Sequence, residues 1–225
     1  MSATDDVRRI EVTGQERAYL PPMGKEWLLP LYDPFTRLFG VRSIHRQLLD
    51  QAQLRPGQQV LEIGCGTGNL LLLAKAGQPA AAVVGLDPDL SALARARRKA
   101  RRRDLDLQLD HGYADALPYP DGSVDLVLSS FMLHHLPDGE REQAVREVRR
   151  VLQPGGRLHV VDVAGHAHAD DGRMTRKAQH DERLQADFGD GIARLLRDAG
   201  FPDVAEVASV VHRLAGRVAF VRATA

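Results

Sequence analysis

Short apolar runs alternate with longer amphipathic ones along most of the chain. Val60–Ile63, Ala81–Leu86 and Val124–Ser129 are mostly apolar and have the length of strands buried on both faces. Leu105–Leu109 alternates apolar and polar positions and reads as another strand, with Arg157–Val163 as the fifth. Helical patterns fill the intervals. Leu70–Ala76 follows the first strand directly, and a second helix starts near Asp89, whose side chain can cap it, and runs to about Arg103. Glu140–Leu152 sets Ala144, Val145, Val148 and Val151 on one face. Gly191–Ala199 is a last helix stopped by Gly200, and Val204–Val211 with Gly216–Ala223 reads as a closing hairpin. Strands and helices in alternation, then an antiparallel hairpin, predict a doubly wound α/β sheet.

Before this core the pattern changes. Met1 to about Tyr19 reads as a frayed lead-in. Trp27–Phe35 is apolar but broken by Pro30 and Pro34, a covering strap rather than a strand or helix. Leu38, Val41, Leu48 and Leu49 suggest one or two amphipathic helices between Phe35 and Ala52. The expected division is a lead-in and lid over residues 1–52 and a core over 53–225. Within the core, residues 164–188 are polar, rich in histidine and aspartate, and nearly aperiodic.

Chemistry concentrates after the first strand. Gly64, Gly66 and Gly68 alternate through a turn between strand and helix, where glycine lets the backbone approach a ligand closely. Glu62 lies inside the strand, and a carboxylate there needs donors, with the amides of the loop as the expected ones. Asp87 ends the second strand nineteen residues after Gly68, where an acid can take both hydroxyls of a ribose. Nicotinamide dehydrogenases share that arrangement. Charge separates the ligands: a dinucleotide brings a pyrophosphate, whereas Glu62, Asp87 and Asp115 form an acidic pocket with Lys75 the only base between Gly64 and Gly77. Such a pocket suits a cation, and S-adenosylmethionine carries a sulfonium.

Glu62-Ile63-Gly64-Cys65-Gly66-Thr67-Gly68, Gly85-Leu86-Asp87, Ala114-Asp115-Ala116-Leu117-Pro118 and Leu152-Gln153-Pro154-Gly155-Gly156-Arg157-Leu158 together resemble the class I S-adenosylmethionine-dependent methyltransferases. The order and spacing hold over about a hundred residues, and Leu195–Phe201 resembles the family's last helix and turn. Tyr32-Asp33, Gly40 and His45-Arg46 are similar to the lead-in of the ubiquinone and menaquinone C-methyltransferases. The resemblance implies a Rossmann-like, seven-stranded, mostly parallel sheet with an N-terminal helical lid. It implies cofactor contacts from Tyr32, Glu62, Gly64, Cys65, Gly66, Thr67, Gly68, Asp87, Pro88, Asp115, Ala116 and Ser130, with Asp115 and Ala116 at the adenine. It also implies that residues 164–188 help recognise the substrate. Tyr32 would lie over the cofactor, the alternative being a hydrophobic strap packed on the core.

Composition narrows the setting. Of 225 residues, 44% are hydrophobic and 27% charged with zero net charge, so no global field draws the chain to nucleic acid. Cys65 is the only cysteine, which suits a reducing cytoplasm, and no apolar run approaches the ~20 residues of a membrane span. The basic run from Arg95 to Arg103 reads first as a solvated helix face, with contact to an anionic lipid surface as an alternative. Oligomeric state is not legible. His134, after the fourth strand, is the candidate general base, and the Leu-His-His-Leu string in relatives of differing substrate is the argument against it. His166 and His168 with Asp170 and Asp171 resemble metal spacing but read as a substrate loop, so no metal is expected. The expected function is methyl transfer to a small molecule, quinone- or lipid-like, leaving S-adenosylhomocysteine. A binding module without turnover and a nicotinamide oxidoreductase are the alternatives.

Overall fold

The structure, a computed structural model, describes residues 7–9, 40–164, 190–212 and 216–225. Tyr32, the Trp27–Phe35 strap, and His166, His168, Asp170 and Asp171 lie outside the described residues. In chain order the elements are β1 (Arg8–Arg9), α1 (Val41–Ala52), β2 (Gln59–Ile63), α2 (Asn69–Gly77), β3 (Ala82–Asp87), α3 (Leu90–Arg101) and β4 (Gln108–His111). β5 (Val124–Ser130), α4 (Asp138–Val151), β6 (Leu152–Val163), α5 (Gly191–Asp198), β7 (Asp203–His212) and β8 (Gly216–Thr224) follow.

The strands form one sheet in the order β1-β4-β3-β2-β5-β6-β8-β7. It is parallel from β1 to β6, then β8 pairs antiparallel with β6 and β7 with β8. This is the expected doubly wound sheet of seven strands with its antiparallel hairpin, plus the two-residue β1 at one edge. Alternation along each strand builds two apolar layers. Val60, Leu126 and Leu128 face one layer with Leu48 of α1, Leu70 and Leu71 of α2 and Leu93 of α3. Leu61, Ile63 and Val127 face the other with Val145 and Val148 of α4 and Leu196 of α5.

Local chemistry sets the ends. Asp89 Oδ1 accepts from the Ser91 and Ala92 amides at 2.7 and 3.0 Å and starts α3 as expected. Gly200, at φ +89°, ends the turn after α5. α4 carries Asp138 and Glu140 in its first turn and Arg149 and Arg150 in its last, matching the helix dipole at both ends.

Three expectations are corrected. The lead-in is not wholly frayed: Arg8–Arg9 pairs with β4, and the Arg8 guanidinium grips the fully buried Asp110 through Nε at 3.0 Å and Nη2 at 2.8 Å. The strand expected over Leu105–Leu109 runs instead from Gln108 to His111, since the Leu107 carbonyl accepts from Arg97 Nη1 at 2.8 Å. Pro154-Gly155-Gly156 is not a turn ahead of the fifth strand but a bulge within β6. Its pairing with β5 jumps from Val124↔Leu152 to Leu126↔Arg157, and Ala225 exchanges hydrogen bonds with Gly155 and Gly156, both at 2.9 Å.

Candidate functional site

The strand order reverses between β2 and β5, so the chain leaves their C-terminal tips in opposite directions and opens a crevice there. Asp87 ends β3, Ser130 ends β5, and Asp115 and Ala116 follow β4, so these expected residues share the sheet edge on which the glycine loop lies.

On the β2–β3 side the chemistry is acidic. Glu62 is 3% exposed, with Oε2 buried and unpartnered. Burial first, and then the charge of Asp87, raise its carboxyl well above the usual range, and the Leu71 amide of α2 holds it back. The expected donors, the loop amides, go elsewhere. Gly66 N–H donates to Asp87 Oδ2 at 2.7 Å, and Asp89 N–H to Oδ1 at 2.8 Å. Glu62 lies within the strand beneath α2, whereas Asp87 stands at a strand end within reach of the loop. Burial lifts Asp87 to about 6 against the pull of those two amides.

Within the loop the glycines have different tasks. Gly66 has φ +51°, and a Cβ on it would meet nothing within 4 Å, so its face is open beside Asp87. Gly68 has φ +76°, and a Cβ there would lie 2.9 Å from Ala96 Cβ, so its bareness brings α3 against the loop. Gly64 lies against Met132. Cys65 is buried, its N–H donates to the Leu86 carbonyl at 3.1 Å, and burial pushes its thiol up, so its backbone serves the loop. Thr67, 3% exposed, takes hydrogen bonds from Lys99. The Pro88 carbonyl accepts from His111 Nε2 at 3.1 Å, and Ala116 N–H donates to the Tyr113 carbonyl at 3.3 Å. An open glycine face beside a buried aspartate, above a glutamate with an unpartnered oxygen, fits a cationic nucleoside.

On the β5–β6 side the chemistry is a histidine–aspartate pair. After β5, Phe131 takes φ +52° and Leu133–His135 form a short 3-10 turn. His134 Nδ1 lies 2.5 Å from Asp162 Oδ1 near the end of β6. An ionised carboxylate only accepts, so Nδ1 carries the proton and the basic lone pair is on Nε2. Asp162 is 1% exposed and also accepts from the Leu133 amide at 2.9 Å and the Val163 amide at 2.8 Å. Burial alone would raise its pKa, but the charge and hydrogen bond of His134 and the Val163 amide bring it below the usual range. Ser130 Oγ lies 2.9 Å from Nε2 of His45 on α1. His45 is 7% exposed, and burial lowers it to about 4, so it is neutral at physiological pH. Among the described residues no three histidine, cysteine, aspartate or glutamate side chains gather as a metal set.

Sequence reasoning missed Asp162, His45 as a partner of Ser130, and Lys99. Asp162 had a legible signal, an acid closing an apolar strand as Asp87 does. His45 shares the buried face of α1 with Ile44, Leu48 and Ala52, so only its partner was hidden.

A family model described as a methyltransferase domain matches residues 60–156. An uncharacterised 37.1 kDa protein in transposon Tn4556 of Streptomyces fradiae is 30% identical over 243 residues, 93% of this chain and 70% of that protein. The demethylmenaquinone methyltransferase of Thermus thermophilus is 38% identical over 138 residues, 60% of this chain and 62% of that enzyme. Among solved structures, the cyclase SpnF superposes with a TM-score of 0.61 at 28% identity, over 74% of this chain and 59% of that one.

Proposed function

Because this chain belongs to the class I S-adenosylmethionine-dependent methyltransferases, we propose that it transfers a methyl group from S-adenosylmethionine to a small-molecule acceptor. The observation that carries this reading is the open face of Gly66 bounded by the buried carboxyls of Asp87 and Glu62. Asp87 holds the ribose hydroxyls, since its oxygens keep lone pairs beyond those bound to the Gly66 and Asp89 amides. Glu62 and the backbone from Gly64 to Gly68 hold the amino-acid end, Pro88, Asp115 and Ala116 the adenine side, and Ser130 and Tyr32 close the site.

The bound cofactor supplies a methyl group already activated on a sulfonium, with a neutral thioether as leaving group. The chain therefore has to align the acceptor, exclude water and receive a proton. His134 Nε2 receives it, and Asp162 keeps the ring in the matching tautomer and stabilises the imidazolium that results. No metal takes part in this reading. The lead-in and residues 164–188 recognise the acceptor, and the likeness to a demethylmenaquinone methyltransferase supports a quinone-like molecule.

The test is turnover to S-adenosylhomocysteine against a panel of quinols, phenols and amines, with chelator added in a parallel series. Accumulation that needs acceptor and survives chelation is the expected result. Loss of turnover on chelation, restored by a divalent ion, overturns the metal-free route. The likeness to SpnF, a cyclase by name, favours a second reading in which the site binds cofactor without methyl transfer. Cofactor binding with no consumption across the panel selects it.

A further inference from the structure

The seven basic residues between Arg95 and Arg103 do not share one role. Arg98, Arg101, Arg102 and Arg103 are exposed, and Arg97 braces the Leu107 carbonyl. Lys99 turns toward the glycine loop. Its Nζ donates to the Thr67 carbonyl at 3.0 Å, to Thr67 Oγ1 at 2.9 Å and to Asn69 Oδ1 at 3.0 Å. An ammonium carries three N–H donors, and three oxygens of the loop and the first residue of α2 meet them.

The dipole of α3 favours a cation in its last turn, where Lys99 lies, but does not explain why Nζ reaches the start of α2. Asn69 opens α2, where the dipole is positive and a cation is disfavoured. The α2 N-cap, Gly68, supplies no side-chain hydrogen bond, and three glycines of the loop take positive φ. Within the loop, Gly68 N–H donates to the Cys65 carbonyl at 2.8 Å. Further restraint comes from neighbours. Asp87 takes the Gly66 amide, while α3 meets the loop at two points one turn apart, Ala96 against Gly68 and Lys99 on Thr67 and Asn69.

We infer that Lys99 is the positioning residue of the glycine loop, fixing it in the form that receives the cofactor. This rests on the methyltransferase reading of the site. The exposed arginines, Arg98, Arg101, Arg102 and Arg103, form a solvated face.

Calorimetry with S-adenosylhomocysteine on the wild type, Lys99→Met, Lys99→Arg and Arg98→Met tests it, beside hydrogen exchange of the ligand-free proteins. Lys99→Met should bind about ten- to a hundredfold more weakly, the loss expected for charged hydrogen bonds. Arg98→Met should match the wild type. Lys99→Arg keeps the charge but cannot bring one nitrogen against three oxygens, so it should fall between. Amides 65–69 should exchange faster in Lys99→Met while those of β5 keep their protection. Wild-type affinity in Lys99→Met overturns the assignment, and so does an equal loss in Arg98→Met, which would reduce the effect to net charge. A wild type that does not bind S-adenosylhomocysteine removes the cofactor reading instead. Loop exchange then still decides whether Lys99 clamps the loop, and an unchanged rate removes the clamp as well.

Discussion

Asp87 ends β3 and Asp162 lies one residue from the end of β6, at the same edge of one sheet, and both are almost wholly buried. Their acidities move in opposite directions. Burial lifts Asp87 to about 6, because its two backbone amides offset burial only in part and the side-chain charge acting on it, that of Asp89, is another acid. Asp162 is buried as deeply but falls below the usual range, because His134 and the Val163 amide together outweigh burial. Depth sets the size of the electrostatic problem, and the partner sets its sign. In the β2–β3 half no described base pairs with the buried carboxyls of Glu62 and Asp87, as in a site for a cationic ligand. The β5–β6 half is internally balanced, as a pair that handles a proton would be.

The largest effect should come from the balanced half. His134→Ala should lower turnover by about 10²–10⁴ while affinity for S-adenosylhomocysteine stays near normal. A full rate in this variant would place the base elsewhere. Asp87→Ala should do the reverse, losing roughly ten- to a hundredfold in cofactor affinity by calorimetry, and unchanged affinity would remove Asp87 from the ribose.

A smaller effect separates the two aspartates by pH. The folded chain holds the Asp87 proton more tightly than the unfolded chain. Its contribution therefore reduces ligand-free stability as pH rises from about 4 to about 6, by at most about 1.4 kcal/mol per pH unit. Asp162 has the opposite sign. Its contribution is present above the unfolded pKa near 4 and is lost as pH falls through its lower folded value. Urea denaturation at pH 4.5 and 6.5 should show a more positive pH dependence in Asp87→Asn than in the wild type, and little change of slope in Asp162→Asn. Equal slopes in all three proteins would break the contrast. The smallest effect is expected at Gly66→Ala, about 1 kcal/mol of backbone strain with no clash, yet with cofactor binding weakened because the methyl group fills the open face.

How much of this was legible in the sequence follows from the range of each interaction. Val60–Ile63, Asp87 and the capping Asp89 could be placed because strand periodicity and caps are local, and their positions in the structure agree. The β6 bulge was not legible, since Pro154-Gly155-Gly156 reads as a turn until Ala225 is seen to pair with it. Nor was the exchange of donors between Glu62 and Asp87, which depends on the height of each carboxyl relative to the loop. Asp162 was half legible: its place at a strand end could be read, but its histidine lies 28 residues earlier, and only the sheet order brings the two together.

The hairpin that closes the sheet has a consequence for the nascent chain. β8 follows β7 in sequence but lies inside it in space, held between β6 and β7. Until it is synthesised, β6 has an unpaired backbone edge along an apolar stretch, Leu158, Val160 and Val161, of the kind that pairs with other chains. The parallel half of the domain can form early, yet it remains adhesive until residues 216–224 arrive. For this fold, the hazardous interval of biosynthesis lasts until β8 is made.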